Sequence, residues 1–144
     1  MGIVITKLQK TTKDYENMSV DKLIYKDLSY VLNGIVFQVF KYHGPGYREK
    51  TYCQSLGKLL KQNNISFEEQ YKVPLTLYSE KLSNRYFDFI IDDKIVIEVK
   101  VGKRLYQKDF DQVTEYLKLS GYKLGLLVLF GSEKADIYRI LNNI

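Results

Sequence analysis

Three charged side chains stand at the two ends of one of the most apolar stretches in the chain. The stretch DFIIDDKIVIEVK, residues 88–100, begins with Asp88 and closes with Glu98 and Lys100. The alternation of a β-strand directs Glu98 and Lys100 to the same face, and a tight turn at the DDK in the middle would bring Asp88 near that face. Because burying an unpaired charge is costly, we expect the three side chains to compensate one another at a functional site.

An aspartate, a glutamate and a lysine at one place are suited to the hydrolysis of phosphate esters. Two carboxylates, with backbone oxygens and waters, can bind Mg²⁺, a hard cation that prefers oxygen ligands, or Mn²⁺ in its place. The neighbouring lysine can orient or deprotonate the attacking water and offset charge that develops on the phosphate. The alternative is a solvated pair of Glu98 and Lys100 on a half-exposed strand, which contributes little to stability.

Composition limits the class of protein and the kind of metal site. The chain has 144 residues, of which 45% are hydrophobic and 27% are charged, and this predicts one folded domain. Its apolar runs are shorter than the ~20 residues of a membrane span and its N-terminus lacks the features of a signal peptide, so we expect a cytoplasmic protein that does not cross a membrane. One cysteine, Cys53, and one histidine, His43, exclude an internal disulfide and a zinc cluster of thiolates and imidazoles. Any metal would be held by oxygen.

The charge balance favours an anionic partner. Lysine and arginine number 22 against 17 aspartates and glutamates, which makes the formal net charge +5. Cationic side chains gain affinity for nucleic acid by displacing counterions from phosphates, although composition alone is a weak pointer. Lys103, Arg104 and Lys108 follow the strand that carries Lys100, where a phosphate backbone would pass. A solvated loop is the alternative interpretation of these three cations.

Periodicity and turn residues predict a mixed α/β domain, a mixed sheet flanked by helices in the order ααβββαββ. Apolar residues recur every three or four positions in three segments, which is typical of helices, and β-branched and aromatic residues predict five strands, the last at the edge of the sheet. We expect residues 1–20 to form a loosely attached N-terminal arm, in which GIVIT could add a strand, and residues 21–144 to form the domain. The expected elements are a helix from Ser19 or Asp21 to Tyr42, a helix over 47–62, strands near 66–78, 84–91 and 94–101, a helix over 106–120, and strands over 123–130 and 134–141.

The charged residues and a glycine-rich turn resemble motifs of one group of proteins. Asp88, followed by EVK at 98–100, resembles the D…ExK core of the PD-(D/E)XK nuclease superfamily. The segment GPGYREKTY resembles the signature of the GxxExxY protein family, with Gly46, Glu49 and Tyr52 on its G, E and Y.

Two further segments resemble the same family. DQVTEYLKLSGYKLGLLVLFG is similar to its QxxxYL helix and the strand after it, with Gln112, Tyr116 and Leu117 in the matching positions. YKDLSYVLNGIVFQVFKYHG is similar to its first helix, so the resemblance covers residues 24–141. The one departure is Phe87, which stands where the superfamily has the proline of its motif.

The resemblance implies a restriction-endonuclease-like core and a metal-dependent phosphodiesterase that acts on nucleic acid, with DNA favoured over RNA. In that superfamily the matching aspartate and glutamate bind Mg²⁺, the lysine assists the attacking water and a glutamate on the leading helix completes the site. Here these residues are Asp88, Glu98, Lys100 and Glu49. Gln112 would by analogy steady the site or contact the substrate. A domain of this size commonly needs a second subunit to grip duplex DNA, so a homodimer is also an expectation.

Two other classes of function stay open at this point. A catalytically inactive module with this fold could bind nucleic acid or protein, and a structural dimer subunit would have no nucleic-acid role. The charged residues favour the nuclease, because a binding module does not need two carboxylates that face the same place. Glu49 could merely complement the dipole of its helix. Tyr52 and Tyr116 are expected to be packing residues whose hydroxyls reach a polar partner, and Cys53 a small core residue.

Overall fold

A six-stranded sheet lies between three helices in the part of the chain that the structure describes. This computed structural model describes residues 2–8, 24–72 and 86–143. The elements in chain order are β1 (Gly2–Leu8), α1 (Lys26–His43), α2 (Glu49–Gln62), β2 (Phe67–Lys72), β3 (Tyr86–Ile91), β4 (Ile95–Val101), α3 (Gln107–Ser120), β5 (Leu124–Phe130) and β6 (Ala135–Asn143).

The sheet is mixed, as the sequence predicts. Its strand order is β1-β6-β5-β4-β3-β2. The neighbours β4 and β5 are parallel and are joined by α3, whereas the other neighbouring pairs are antiparallel. A parallel pair needs a crossover, and a helix that packs on the sheet is the usual one. The expected fold class, a mixed sheet flanked by helices, is therefore confirmed.

Two apolar cores cover the two faces of the sheet. On one face, Val36 of α1 and Leu56 of α2 pack in the same cluster as Ile97 of β4. On the other face, Val113 of α3 packs in a cluster with Val96 of β4. The central strands read as nearly continuous apolar runs because successive side chains of one strand enter opposite cores.

The edge of the sheet differs from the prediction. β6 was expected at the edge, but β1 pairs antiparallel with it from Gly2 opposite Asn143 to Leu8 opposite Ile137. Residues 2–8 are therefore a strand of the sheet and not part of a loose arm, and β1 takes the edge position. The apolar pattern of β6 predicts a strand correctly. A local pattern cannot predict which other strand will pair with it.

The first helix begins later than predicted. Tyr25 has a left-handed backbone conformation with φ 55°, so a continuous helix cannot pass through it, and α1 begins at Lys26. The expected caps Ser19 and Asp21 lie outside the described residues. In the described segments there is also no helix with both the length and the apolar character required to cross a membrane.

The other boundaries follow the turn residues in the sequence. α2 ends at the predicted stop, with Asn64 in a left-handed conformation at φ 57°, and α3 ends before Gly121 at φ 82°. β2 covers the first part of the strand expected near 66–78, and residues 73–78 lie outside the described part. The hairpin between β3 and β4 turns through Asp92 and Asp93, both with positive φ, which is the tight turn that the sequence predicts.

The packing of α3 on β5 leaves no room for a side chain at Gly125. A Cβ atom there would lie 2.9 Å from Cγ1 of Val113, a β-branched side chain with little freedom to move. We expect Gly125→Ala to lower the free energy of unfolding by about 1–3 kcal/mol through overpacking, measured by urea denaturation. The control is Gly34→Ala on the exposed face of α1, where nothing lies within 4 Å. It should raise stability by about 0.5–1 kcal/mol, and equal effects of the two substitutions would contradict this packing.

Candidate active site

β3 and β4 separate at Asp88. Their backbone pairing extends from the hairpin as far as Phe89 opposite Ile97. One residue further on, the Asp88 carboxylate accepts a hydrogen bond from the backbone N–H of Val99, with 2.7 Å between Oδ2 and N. A buried N–H needs an acceptor, and here the Asp88 carboxylate takes the place of a backbone carbonyl of the neighbouring strand. Asp88 is consequently held at the point where the strands diverge, with 8% of its surface exposed.

Glu98 and Lys100 lie together on β4, as the alternation of the strand predicts. Ile97 and Val99 pack in the core beneath α1 and α2, whereas Val96 packs in the core beneath α3. Glu98 is buried, with 6% of its surface exposed, and its Oε2 lies 3.7 Å from Nζ of Lys100. The lysine is the more exposed partner and borders the solvent.

The start of α2 brings Glu49 to the same place. The carboxyl groups of Glu49 and Glu98 both lie close enough to that of Asp88 for its negative charge to act on them, although the three residues come from three different elements. Loss of solvent around Glu49, followed by the negative charge of Asp88, raises its pKa to about 7. The same two causes, burial first, raise the pKa of Glu98 to about 9, while the positive charge of Lys100 opposes both shifts.

Burial first and the charge of Asp88 second raise these pKa values, so the fully ionised cluster would carry an excess of negative charge that Lys100 offsets only in part. A divalent cation would relieve this excess, and the carboxylate oxygens of Glu49, Asp88 and Glu98 are the ligands that Mg²⁺ and Mn²⁺ prefer. The donor set therefore fits such a cation.

Cys53 is a member of this cluster that the sequence did not predict as a site residue. Its sulfur and the carboxylate oxygens of Glu49 and Asp88 lie within 4.8 Å of one another. The thiol also packs against the core, as expected from sequence, and burial followed by the nearby carboxylates raises its pKa. The spacing of four residues from Glu49 to Cys53, which places both on one helix face, is the signal that could have found it.

Lys100 has a second carboxylate neighbour that sequence reasoning missed. Asp109, in the first turn of α3, is buried, and its Oδ1 lies 4.0 Å from Nζ of Lys100. Its other oxygen accepts a hydrogen bond from the backbone N–H of Tyr106 at 2.8 Å. In the sequence Asp109 has the spacing of an ordinary helix cap, which hides its contact with Lys100. The lysine is thus held between Glu98 on its own strand and Asp109 on the next helix.

Tyr52 anchors the turn that precedes Glu49. Its hydroxyl donates a hydrogen bond to the carbonyl of Gly44 at 2.7 Å and accepts one from the backbone N–H of Tyr47 at 3.3 Å. Its ring is fully buried and stacks on Phe130, with 4.2 Å between the ring centroids. The expectation of a packing tyrosine with a hydroxyl that reaches a polar partner is confirmed, and the partner is the turn that leads into α2.

The other predicted site residues lie on the loop after β4 and on α3. Gln112 is half-buried on α3, one turn beyond Asp109, and its role stays a prediction. Lys103, Arg104 and Lys108 are exposed in the loop between β4 and α3 and in the first turn of α3.

An open cleft leads to the carboxylates. It has a volume of about 630 Å³ and lies between the start of α2 and the strands β2 and β3. Arg48 and Lys50 flank Glu49 at its wall, so cations that the sequence did not single out border the negative cluster. Glu69 also lines the cleft, so a substrate that approaches Glu49 and Asp88 passes side chains of both charges.

Comparison with known proteins identifies the family of the chain. A family model of the PD-(D/E)XK nuclease superfamily matches residues 26–140. A search of curated proteins and a search of solved structures returned no match. The match indicates a nuclease-type function and extends over most of the chain, from α1 to β6. The chain belongs to the PD-(D/E)XK nuclease superfamily.

Proposed function

We propose that this protein hydrolyses phosphodiester bonds of nucleic acid with a divalent cation, Mg²⁺ or Mn²⁺. The observation that carries the proposal is the convergence of the Glu49, Asp88 and Glu98 carboxyl groups next to the ion pair of Glu98 and Lys100. Membership of a nuclease superfamily supports a nucleic-acid substrate.

Each charged residue has a distinct role in this proposal. Asp88, Glu98 and Glu49 hold the cation through their carboxylate oxygens, and Asp88 is kept in place by its hydrogen bond from β4. A divalent cation bound there lowers the pKa of water and offsets negative charge on phosphate. Lys100 orients or deprotonates the attacking water, and its contacts with Glu98 and Asp109 keep its Nζ beside the carboxylates. Gln112 steadies the site from α3 or contacts the substrate.

A catalytically inactive binding module has weaker support. Burial and the nearby charge of Asp88 raise the pKa values of Glu49 and Glu98, so these two residues make the folded chain less stable as the pH rises through neutral. A surface that binds phosphates through cations gains nothing from such a cluster. A cation site explains it, because strongly perturbed ionisable groups that line a cleft are characteristic of functional sites.

The contacts of Tyr52 support assignment to the GxxExxY family within the superfamily. Gly46 has φ 92°, a conformation that favours glycine, and lies in the turn that the Tyr52 hydroxyl holds from both sides. Glu49 follows directly at the start of α2. These three residues thus form one unit. Gly46 shapes the turn, Tyr52 anchors it, and Glu49 enters the site. A preference for DNA over RNA, a homodimer and a cytoplasmic location stay predictions of the sequence.

Cleavage is the direct test of the proposed activity. We expect the protein to cut labelled single- or double-stranded DNA or RNA when Mg²⁺ or Mn²⁺ is added and to be inactive in EDTA. Asp88→Asn, Glu98→Gln and Lys100→Met should each lower the rate by about 100-fold or more, because each removes a charged group from the reaction centre.

Matched control substitutions lie in the adjacent hairpin. Lys94 and Asp92 form an exposed ion pair at 3.2 Å, so Lys94→Met and Asp92→Asn change the same charges outside the site and should leave the rate within about twofold. The proposal fails if the wild type cuts none of the four substrates, or if cleavage survives in Lys100→Met and Glu98→Gln.

The raised pKa values predict how stability depends on pH in metal-free protein. A carboxyl group with a folded-state pKa above its ordinary value of 4.5 binds more protons in the folded chain, so its contribution to stability is complete below pH 4.5 and is lost as pH rises through the folded-state pKa. In EDTA we expect Glu98 to make the free energy of unfolding decrease between about pH 5 and pH 9. One group contributes at most about 1.4 kcal/mol per pH unit.

Urea denaturation of wild type and Glu98→Gln across this range isolates the contribution. The neutral amide should flatten the decrease and make the variant the more stable protein at pH 8.5 in EDTA. Mg²⁺ should stabilise the wild type more than Glu98→Gln, since a ligand that binds only the folded state raises its stability. If the free energy of unfolding of the two proteins changes with pH in parallel, Glu98 is not the residue that causes the decrease.

A further inference from the structure

An exposed tyrosine stands between two cations at the start of α3. The Tyr106 ring is 52% exposed, with the guanidinium carbon of Arg104 at 5.0 Å and Nζ of Lys108 at 5.9 Å from its centroid. Contacts of this length are within the range of cation–π interactions, which hold the ring and the two charges in one unit. We name Arg104, Tyr106 and Lys108 the aromatic patch.

The aromatic patch is joined to the candidate active site through one carboxylate. Asp109 accepts a hydrogen bond from the backbone N–H of Tyr106 at 2.8 Å, and its other oxygen lies 4.0 Å from Nζ of Lys100. The position of the Tyr106 backbone is therefore coupled to the lysine that is proposed to act on water. Asp109 thus links the backbone at the centre of the aromatic patch to Lys100.

The tyrosine with the largest exposed fraction among the described residues has different surroundings. Tyr42 is 84% exposed and contacts the ring of its neighbour His43 in an edge-on arrangement. The remaining cation–π contacts among described residues pair a single lysine with one ring, as with Lys94 over Tyr25. Tyr106 combines a half-exposed aromatic side chain with two neighbouring cations, which are the two elements that bind a nucleotide by stacking and by charge.

We propose that Tyr106 stacks on an unpaired base of the substrate while Arg104 and Lys108 contact the phosphates on either side. In a duplex the faces of the bases are covered by their neighbours, so an aromatic side chain reaches them only where the strand is single. The substrate is then a nucleic acid that is single-stranded next to the bond that is cut. This inference rests on the proposed nuclease function, because it is that function that places a strand at Lys100.

Binding in EDTA tests the inference without any need for cleavage. Fluorescence anisotropy would measure the Kd for a labelled single-stranded DNA oligonucleotide and for the matching blunt duplex. Tyr106→Ala should weaken binding of the single strand by about 5- to 100-fold, the range for loss of one stacked base, and Tyr106→Leu should do the same because it restores bulk without a ring. Tyr106→Phe should stay within about twofold of wild type, and so should the control Tyr42→Ala, which removes a more exposed tyrosine elsewhere.

The dependence of binding on salt separates the cations from the ring. Arg104→Gln and Lys108→Gln should each reduce the slope of log K against log salt by about 0.7, the value for one phosphate contact on a single strand, whereas Tyr106→Ala should leave the slope unchanged. If Tyr106 only stabilised the local structure, its loss would also change the salt slope, because the two cations would be displaced.

The inference is overturned if wild type does not bind the single strand, if Tyr106→Ala leaves its Kd within twofold, or if the variant weakens single strand and blunt duplex equally. Its failure can be told from failure of the nuclease proposal. Cleavage that requires Lys100 together with an unchanged Kd in Tyr106→Ala would reject stacking alone. Loss of single-strand affinity in Tyr106→Ala, without cleavage by the wild type, would reject the nuclease and retain the binding surface.

Discussion

The hydrogen bond from the backbone of Val99 to the carboxylate of Asp88 is the contact on which the rest of the site depends. It stands where β3 and β4 cease to pair, and it satisfies a buried N–H that the diverging strand no longer reaches. Because the carboxylate is tied to β4, it cannot turn away from Glu98 on that strand or from Glu49 on α2. The site is therefore built from a defect in the sheet, at a place where regular pairing would have used the same backbone atoms.

The two layers of helices meet the sheet at this defect. α2 packs on one face and α3 on the other, yet the first turn of each approaches the same end of β4. Glu49 enters from α2, and Asp109 enters from α3. The first turn of a helix carries a partial positive charge, which favours carboxylates and would also favour the phosphates of a bound substrate. This convergence explains how acidic residues from different elements and one lysine come to share a small volume.

Stability and function oppose each other at this place. The sheet around the cluster is apolar on both faces, and within it Glu49 and Glu98 hold protons more tightly than free glutamates do. Such a cluster weakens the fold unless an ion or a cationic partner offsets its charge. Lys100 supplies part of this compensation. The remainder is the physical basis for the proposal that a divalent cation binds there.

The sequence by itself determined the elements and the local geometry of β4. Apolar periodicity predicted the three helices and the five strands from β2 to β6, the DDK segment predicted the tight turn, and strand alternation predicted that Glu98 and Lys100 share a face. Each of these features depends on residues close together in the chain, whose conformational preferences are local. The tight turn also placed Asp88 near that face, and the likeness to the superfamily added Glu49 to the site before any geometry was known.

Only the tertiary structure decided which distant segments meet. The pairing of β1 with β6, the contact of Glu49 with Asp88, the second partner of Lys100 at Asp109 and the place of Cys53 beside the carboxylates all join residues from different elements. In each case the local sequence was also compatible with a purely structural role. Residues 2–8 could have formed an arm, Glu49 could have complemented a helix dipole, Asp109 could have capped a helix, and Cys53 could have been a core thiol. Contacts between elements are selected by the packing of two apolar cores on one sheet, and that selection depends on the whole chain at once rather than on any one pattern within it.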